Sequence, residues 1–259
     1  MLGSWFFSKV PPLNIFRFLF IIFVLLFSWW LLVFLTEVPS FILPSPQMVF
    51  IKLWQLKWLL FSHLWVTLLE IVGGLILGVS LGLLFAINMQ LFYSVRLWLL
   101  PILLFSQAVP VFALAPILVL WLGYGMFSKI VMAAIIIFFP VLMTCFDGLR
   151  YTPLGYLDLA KTMNVKTWQI VLRIRLPAAL PTIASGLRMA VVVAPIGAII
   201  GEWVGSGAGL GYYMLHSNAR MQIAEMFAAL ILLASLSVSL YYLTDLTLKK
   251  LIPWSQEQY

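Results

Sequence analysis

The residues that could carry out bond chemistry are few in this sequence, and their spacing fits no catalytic motif. His63 and His216 are its 2 histidines, far apart and without further ligands at metal-binding spacing, and Cys145 is its 1 cysteine. The sequence contains no G-x-S-x-G, no H-E-x-x-H and no phosphate loop of the form G-x-x-x-x-G-K-[ST]. We therefore expect no enzyme activity, no metal and no bound nucleotide. What remains is a pair of acids, Glu70 and Glu202, close to apolar stretches.

The elements that must hold these residues are set by an extreme composition. Of the 259 residues, 64% are hydrophobic and 9% are charged, whereas a soluble domain is roughly half apolar and a quarter charged. No internal core could hide this surplus, so lipid must be part of the solvent. The first apolar run, Phe18–Leu35, is long and lacks a small-residue cleavage site, so it is predicted to be retained as a span. We expect one transmembrane domain over residues 1–259.

Apolar tracts of about 20 residues, enough to cross a bilayer, predict six membrane helices. Three prolines interrupt the third tract, which predicts kinks or two shorter helices there. The fifth is short and spans only if Arg188 and Glu202 extend to opposite surfaces. The predicted spans, with a surface helix at Gln47–Leu60 before the second, are Phe16–Thr36, His63–Met89, Leu97–Leu122, Ile130–Gly148, Pro181–Val204 and Ala224–Leu248.

The basic residues predict the orientation. Six spans put both termini on one side, and with the N-terminus inside, eleven of the 15 Lys and Arg residues are cytoplasmic. The outer ones are Lys52, Lys57, Lys129 and Arg220. This bias predicts cytoplasmic termini. Topology then accounts for the net charge of +7, and we expect no nucleic acid partner.

Glycine recurs at every fourth position in two spans, which lets helices approach closely in lipid. In the second span, Gly74, Gly78 and Gly82 predict packing. In the fifth, the glycines and a proline predict a bendable helix that lines a pathway. Two interpretations stay open for its acid, an external gate or binding-protein contact and a satisfied structural acid, while Glu70 is assigned to structure. The predicted pathway or gate residues are Pro195, Gly197, Gly201, Glu202 and Trp203.

The longest cytoplasmic segment, about residues 150–180, is predicted to form two short helices joined by a tight elbow. Thr152, followed by proline, is typical of a helix start. Asn164 tolerates the left-handed conformation that the elbow requires. Thr167 would cap the second helix, and Pro177 would stop it. Composition alone does not distinguish this segment from an amphipathic loop on anionic lipid.

Spacing does distinguish them. The segment resembles the "EAA" loop of binding-protein-dependent ABC importer permeases, whose pattern is E-A-A, three residues, G, nine residues and I-x-L-P. The match needs no gap, and it falls between the fourth and fifth spans, as in the family. Each substitution keeps the physical role of an acid, a helix former or a residue that accepts positive φ. The matching residues, in the order of the pattern, are Asp158, Leu159, Ala160, Asn164, Ile174, Leu176 and Pro177.

The resemblance covers about Trp29–Trp254 and implies an all-α, polytopic type I ABC importer permease fold in the bacterial inner membrane. It implies that the loop docks on an ABC ATPase subunit, with Asp158 near basic residues and with Leu159 and Ala160 packed at the contact. The ATP and Mg would be bound by that separate ATPase, present in two copies. The permease would form a homodimer, and a periplasmic or lipoprotein substrate-binding protein would deliver the solute.

The solute is indicated by sequence similarity to one branch of the family. The stretches Ala194–Gly205 and Gly209–Gln222 are most similar to hydroxymethylpyrimidine-type permeases, which carry thiamine precursors, within the branch for nitrate, taurine and sulfonates. A flat, neutral heterocycle is compatible with a pathway rich in Trp and Tyr. Permeases for taurine, aliphatic sulfonate, nitrate or a riboflavin-like solute remain alternatives. An ion-coupled secondary transporter is the alternative of another class, although its usual inverted repeats and midplane acids are not found.

Overall fold

The computed structural model describes residues 15–254 of the chain, except the side chains of Ile15 and Phe18. Lys9, one of the predicted cytoplasmic cations, lies outside these residues. Every regular element in the described range is helical, which confirms the all-α prediction. The elements are α1 (Ile15–Thr36), α2 (Pro46–Gln55), α3 (Lys57–Leu91), α4 (Tyr93–Ser106), α5 (Val111–Leu122), α6 (Met126–Arg150), α7 (Leu154–Thr162), α8 (Thr167–Ile170), a π-helical turn (Val171–Arg175), α9 (Leu176–Gly205), α10 (Leu210–Ala219) and α11 (Ile223–Leu251).

Five helices are long and apolar enough to cross a membrane alone: α1, α3, α6, α11 and the continuous helix Thr167–Gly205. The α4–α5 pair passes the same test only jointly, with a bend of 102° between its halves. The break falls just before α5, where Pro110 occupies the N-cap, while Pro101 and Pro116 are accommodated inside the two helices. The predicted division of the third span into two shorter helices is therefore confirmed. Of the three prolines, only Pro110 lies at the break.

The direction of α6 shows that the α4–α5 pair crosses the membrane. A Cβ on Gly74 of α3 would meet Ala133 of α6, and a Cβ on Gly82 would meet Val141. Residue numbers rise together along this contact, so α3 and α6 run parallel. The chain must return between two parallel spans, so α4 and α5 together make one broken crossing, the sixth span among the described residues.

Helix α6 lies at the centre, between α3 and α9. A Cβ on Gly74 would stand 2.5 Å from the Cβ of Ala133, and a Cβ on Gly197 would stand 2.6 Å from its Cα. Such distances leave no room for a side chain, and close backbone approach of this kind stabilises helix pairs in lipid. The packing role predicted for the glycines of α3 is confirmed, and α9 uses its own glycines in the same way.

The surface helix before the second span is shorter than predicted. The Ser45 hydroxyl caps α2 by accepting a hydrogen bond from the Met48 N–H at 3.4 Å, and Pro46 takes the first helical position. The helix ends at Gln55, and α3 begins directly at Lys57 rather than at His63. Thus α3 has 35 residues and is about 50 Å long at about 1.5 Å per residue, longer than a bilayer core needs.

Candidate functional site

The predicted elbow lies at Asn164, which has a φ of 56°. After α7, the Val165 N–H donates to the Ala160 carbonyl at 3.1 Å, and the Asn164 N–H donates to the Lys161 carbonyl at 2.9 Å. This pair of bonds is the Schellman ending of a helix, which needs a left-handed residue at the position that Asn164 occupies. The elbow prediction is confirmed with its backbone conformation.

The predicted helix caps in this segment are wrong by one residue each. Helix α7 begins at Leu154 with Pro153 at the N-cap, and the Thr152 hydroxyl instead donates to the Leu149 carbonyl at 3.2 Å. Thr167 is the first residue of α8, and the extended residue before it is Lys166, whose side chain makes no capping bond. The Thr152 hydroxyl thus satisfies a carbonyl in the last turn of α6 instead of capping the next helix.

Pro177 does not stop the second helix, contrary to the prediction. The π-helical turn Val171–Arg175 leads directly into α9, so the chain is helical without interruption over 39 residues, Thr167–Gly205. A proline ring normally collides with the carbonyl four residues earlier, and here that residue, Arg173, belongs to the wider π-helical turn. This local change of register explains why the helix passes the proline. At about 1.5 Å per residue the helix extends about 60 Å, from the loop to the opposite end of the bundle.

The EAA-like residues do not share one exposed face. Asp158 is exposed and Leu159 is 61% exposed, whereas Ala160 is only 3% exposed. Ala160 lies on the inner side of α7, next to Val165 in a groove between α7 and α8. Leu159 is therefore available to a partner, and Ala160 shapes the groove instead of projecting from it. Ile174, Leu176 and Pro177 belong to the helical exit, where they are half-buried or exposed.

The groove has a volume of about 380 Å³. Its rim carries Met163, which is 69% exposed, and its wall includes Arg173. Asp158 pairs with Lys161 at 3.1 Å, but both side chains are more than 60% exposed, so water screens the pair and little free energy opposes its exchange for another cation. The segment thus presents an acid, apolar knobs and a recess on one compact surface, as a docking element requires.

The predicted pathway residues separate into two groups. Pro195 and Trp203 line an apolar cleft of about 590 Å³ between α5, α9, α10 and α11, with Phe112 and Met214. Gly197 and Gly201 lie on another side of α9, against α6. Glu202 is also directed into the bundle and is 1% exposed. The role of these five residues in a pathway stays a prediction, and among them only Pro195 and Trp203 line the cleft.

Glu202 belongs to a second polar cluster, at the end of the bundle opposite the loop. We call Thr67, Glu70, Lys129 and Glu202 the distal polar centre; all four are at most 1% exposed. Glu202 Oε1 accepts from the Thr67 hydroxyl at 2.6 Å, and its Oε2 accepts from the backbone N–H of Gly211 at 2.5 Å. Buried polar groups need such partners. Glu202 thus has hydrogen-bond donors at both carboxyl oxygens, and its role as an external gate or binding-protein contact stays a prediction.

Lys129 ties two backbone segments to this centre. Its Nζ donates to the carbonyls of Tyr124 at 2.6 Å, Gly125 at 3.1 Å and Gly205 at 2.5 Å. The chain then turns at Gly209, where φ is 108° and any Cβ would stand within 2.5 Å of the Glu202 carboxylate. Only glycine fits there. The glycines after α9 therefore allow backbone to close over a buried acid.

One sequence-based expectation fails in this region. Arg188 and Glu202 do not extend to opposite surfaces, since they are 8% and 1% exposed, and Arg188 pairs with Asp245 of α11 at 2.9 Å. Lys129, one of the predicted outer cations, is 1% exposed, and its side of the membrane stays a prediction. The sequence analysis did not predict that Thr67 and Lys129 lie beside the two acids. One sequence signal could have indicated the cluster: Glu70 and Lys129 each lie near the N-terminal end of an apolar span, and these two ends face the same side of the membrane.

Comparison with known proteins identifies the family. Residues 78–254 match the model of the binding-protein-dependent transport system inner membrane component. The chain belongs to this family of transport permeases, which implies an ATPase partner and a substrate-binding protein. It is a multi-pass protein of the inner membrane.

Relatives and a solved structure agree with this assignment. A Haemophilus influenzae protein described as "Probable ABC transporter permease protein" is 55% identical over 237 residues, which cover 92% of this chain and 96% of that protein. The formylaminopyrimidine transport permease protein ThiX of Halalkalibacterium halodurans is 36% identical over 219 residues, covering 84% of this chain and 88% of that protein. A chain of the MetNI methionine ABC transporter, in an inward facing conformation, has a TM-score of 0.61 and 21% identity, covering 76% of this chain and 97% of that chain. The predicted type I importer permease fold is confirmed.

Proposed function

We propose that this chain forms the translocation pathway of an ATP-driven importer for a thiamine-precursor pyrimidine. The observation that carries the transport mechanism is the exposed surface around Asp158 on α7, which the elbow at Asn164 joins to a continuous helix that crosses the bundle. A displacement of this surface by a partner would be transmitted along the helix, since a helix without a break moves largely as one body. Two ATPase copies, which hold ATP and Mg, would act on the loops of a homodimer. Both termini would be cytoplasmic.

The solute proposal is supported by similarity to ThiX, a formylaminopyrimidine permease at 36% identity. The apolar cleft beside Pro195 and Trp203 is compatible with a flat heterocycle, because an aromatic ring can stack on the indole. A strongly anionic solute would be better served by a cation, and the cleft has none among its lining residues. Taurine, aliphatic sulfonates, nitrate and a riboflavin-like solute remain the competing solutes.

The solute is tested on the partner substrate-binding protein by calorimetric titration. We expect hydroxymethylpyrimidine or formylaminopyrimidine to bind, and taurine and nitrate to give no heat above dilution. Binding of taurine or nitrate without pyrimidine binding would contradict the choice of solute, while leaving the transport mechanism intact.

The pathway is tested by Trp203→Ala in the reconstituted transporter. We expect slower pyrimidine uptake at unchanged ATPase retention, because the stacking surface is lost while the loop is untouched. Trp98→Ala is the matched control, since Trp98 is 79% exposed on α4. Equal uptake by both variants would remove Trp203 from the pathway.

A further inference from the structure

The distal polar centre has an imbalance of charge. It contains two carboxyl groups, on Glu70 and Glu202, and one ammonium group, on Lys129, each at most 1% exposed. Thr67, which donates to Glu202 at 2.6 Å, lies one helical turn before Glu70 on the same face of α3, so the two acids meet where α3 packs on α9. Lys129 packs against the same part of α9, since a Cβ on Gly201 would stand 3.1 Å from its Cα. If both acids were ionised, the centre would carry an uncompensated buried negative charge, which is strongly unfavourable.

The hydrogen-bond donors around the centre are already assigned. All three protons of Lys129 Nζ point to backbone carbonyls, so none remains for a carboxylate. Glu202 takes the Thr67 hydroxyl and the N–H groups of Gly211 and Tyr212. These donors favour the ionised form of Glu202.

Glu70 has the opposite surroundings. Its Oε2 is buried and has no hydrogen-bond donor among the described residues. Two carboxylates cannot bond each other without a proton between them, whereas a carboxylic acid donates to a carboxylate in a short, strong bond. One proton would satisfy the orphan carboxyl group, balance the charge of the centre and join α3 to α9.

We propose that the distal polar centre is a proton-binding site, in which Glu70 holds the proton and donates it in a hydrogen bond to ionised Glu202. With Lys129 charged, the centre is then electrically neutral. At this end of the surrounding elements, His63 of α3 accepts at its Nδ1 from the Gly209 N–H at 3.1 Å. The rings of Tyr212 and Tyr213 of α10 lie 6.2 Å and 5.2 Å from the His63 ring, and the His216 ring stacks on Tyr212 at 5.7 Å. The other titratable groups on the loop before α6 and on α3, α6 and α9 are Tyr124, Lys57, Cys145, Asp147, Arg150 and Arg188. Glu70 is thus a positioning residue for the end of α9, whatever solute is carried.

Substitution by glutamine should affect the two acids differently. Glutamine copies a protonated carboxyl, because it has one acceptor oxygen and a donor that can point at Glu202. In the complete transporter, Glu70→Gln should keep the melting temperature and the ATP-driven uptake of the parent. Glu202→Gln should lower both, because its amide donor would face the N–H groups of Gly211 and Tyr212. Glu225→Gln is the control for removing an acid outside the centre.

Infrared spectroscopy reads the proton itself. The parent transporter should show the carbonyl stretch of a buried carboxylic acid, shifted in heavy water, and Glu70→Gln should abolish that band. Absence of the band from the parent, its persistence in Glu70→Gln, or equal damage by both amide variants would overturn the proposal. A melting temperature that rises with sodium or potassium in the parent, but not in Glu70→Gln, would also overturn it in favour of a metal cation.

Discussion

The loop before the continuous helix Thr167–Gly205 and the distal end of that helix use charge in opposite ways. At the loop end, Asp158 is exposed and paired only with its neighbour Lys161, so it can change partners at little cost. At the distal end, Glu202 is buried and bonded to two other elements, so it cannot change partners without leaving donors unsatisfied. One end is built for exchange and the other for retention. A helix with such ends can transmit motion from a docking surface to a fixed contact.

The largest effect should come from reversing the charge at the exchangeable end. Asp158→Lys should abolish retention of the ATPase, because the acid expected to face basic partner residues becomes a cation. The measurement is capture of the ATPase by tagged permease in detergent. Glu37→Lys makes the same charge change at an exposed position in another part of the chain, and it should retain the ATPase. Equal retention by both variants would remove the loop from its assigned role.

The second largest effect is expected from a substitution in the middle of α9, where this helix packs against α6. Gly197→Ala should lower the free energy of unfolding by about 3 kcal/mol, the upper range for overpacking, because the new Cβ would meet the Cα of Ala133 at 2.6 Å. Gly155→Ala on α7 is the matched control, since a Cβ there meets nothing within 4 Å. Thermal unfolding in detergent measures both, and an unchanged Gly197→Ala would contradict the close contact between α6 and α9.

A smaller loss should follow from Thr67→Val at the retained end. Valine keeps the shape but leaves the Leu210 N–H without its acceptor at 2.8 Å and Glu202 without the hydroxyl donor. We expect a loss of about 2 kcal/mol in the free energy of unfolding, within the range for unsatisfied buried groups. Thr36→Val, at an exposed position on α1, should leave unfolding unchanged. If both variants unfold like the parent, the distal centre does not retain α9.

The smallest effect is expected at the elbow. Asn164→Gly should raise the free energy of unfolding of the loop by less than about 1 kcal/mol, because glycine accepts the φ of 56° without steric strain. Asn164→Ala should lower it, since alanine has neither that freedom nor a side-chain amide. Hydrogen exchange of the α7 amides would report the difference. Slower exchange in the alanine variant than in the glycine variant would contradict the Schellman ending.

The same comparison shows what the sequence could predict. The elbow lies within one short segment, so the tolerance of Asn164 for positive φ was sufficient to predict it. The docking role of the residues around it stays a prediction. The six spans followed from apolar length, and only their ends moved. Pro177 was misjudged because the π-helical turn before it is a tertiary adjustment that the proline itself does not encode.

The distal centre could not be predicted, because its parts come from separate helices. The three charged residues Glu70, Lys129 and Glu202 come together only after α3, α6 and α9 have packed. In the sequence, the glycines of α9 that permit this close packing are equally typical of a bendable helix lining a pathway. Arg188 was therefore predicted to extend to a membrane surface, and Lys129 was counted only by its side of the membrane. Burial by neighbouring helices gives Arg188 a carboxylate partner and Lys129 carbonyl partners.

The central claim is that this chain transports solute only when an ATPase drives it through the loop. The direct test is uptake of labelled pyrimidine into vesicles that contain the permease, its ATPase and its binding protein. We expect uptake with ATP and Mg, none without ATP, and none with Asp158→Lys. Vesicles that hold the permease alone and accumulate solute on an ion gradient, without ATP, would contradict it.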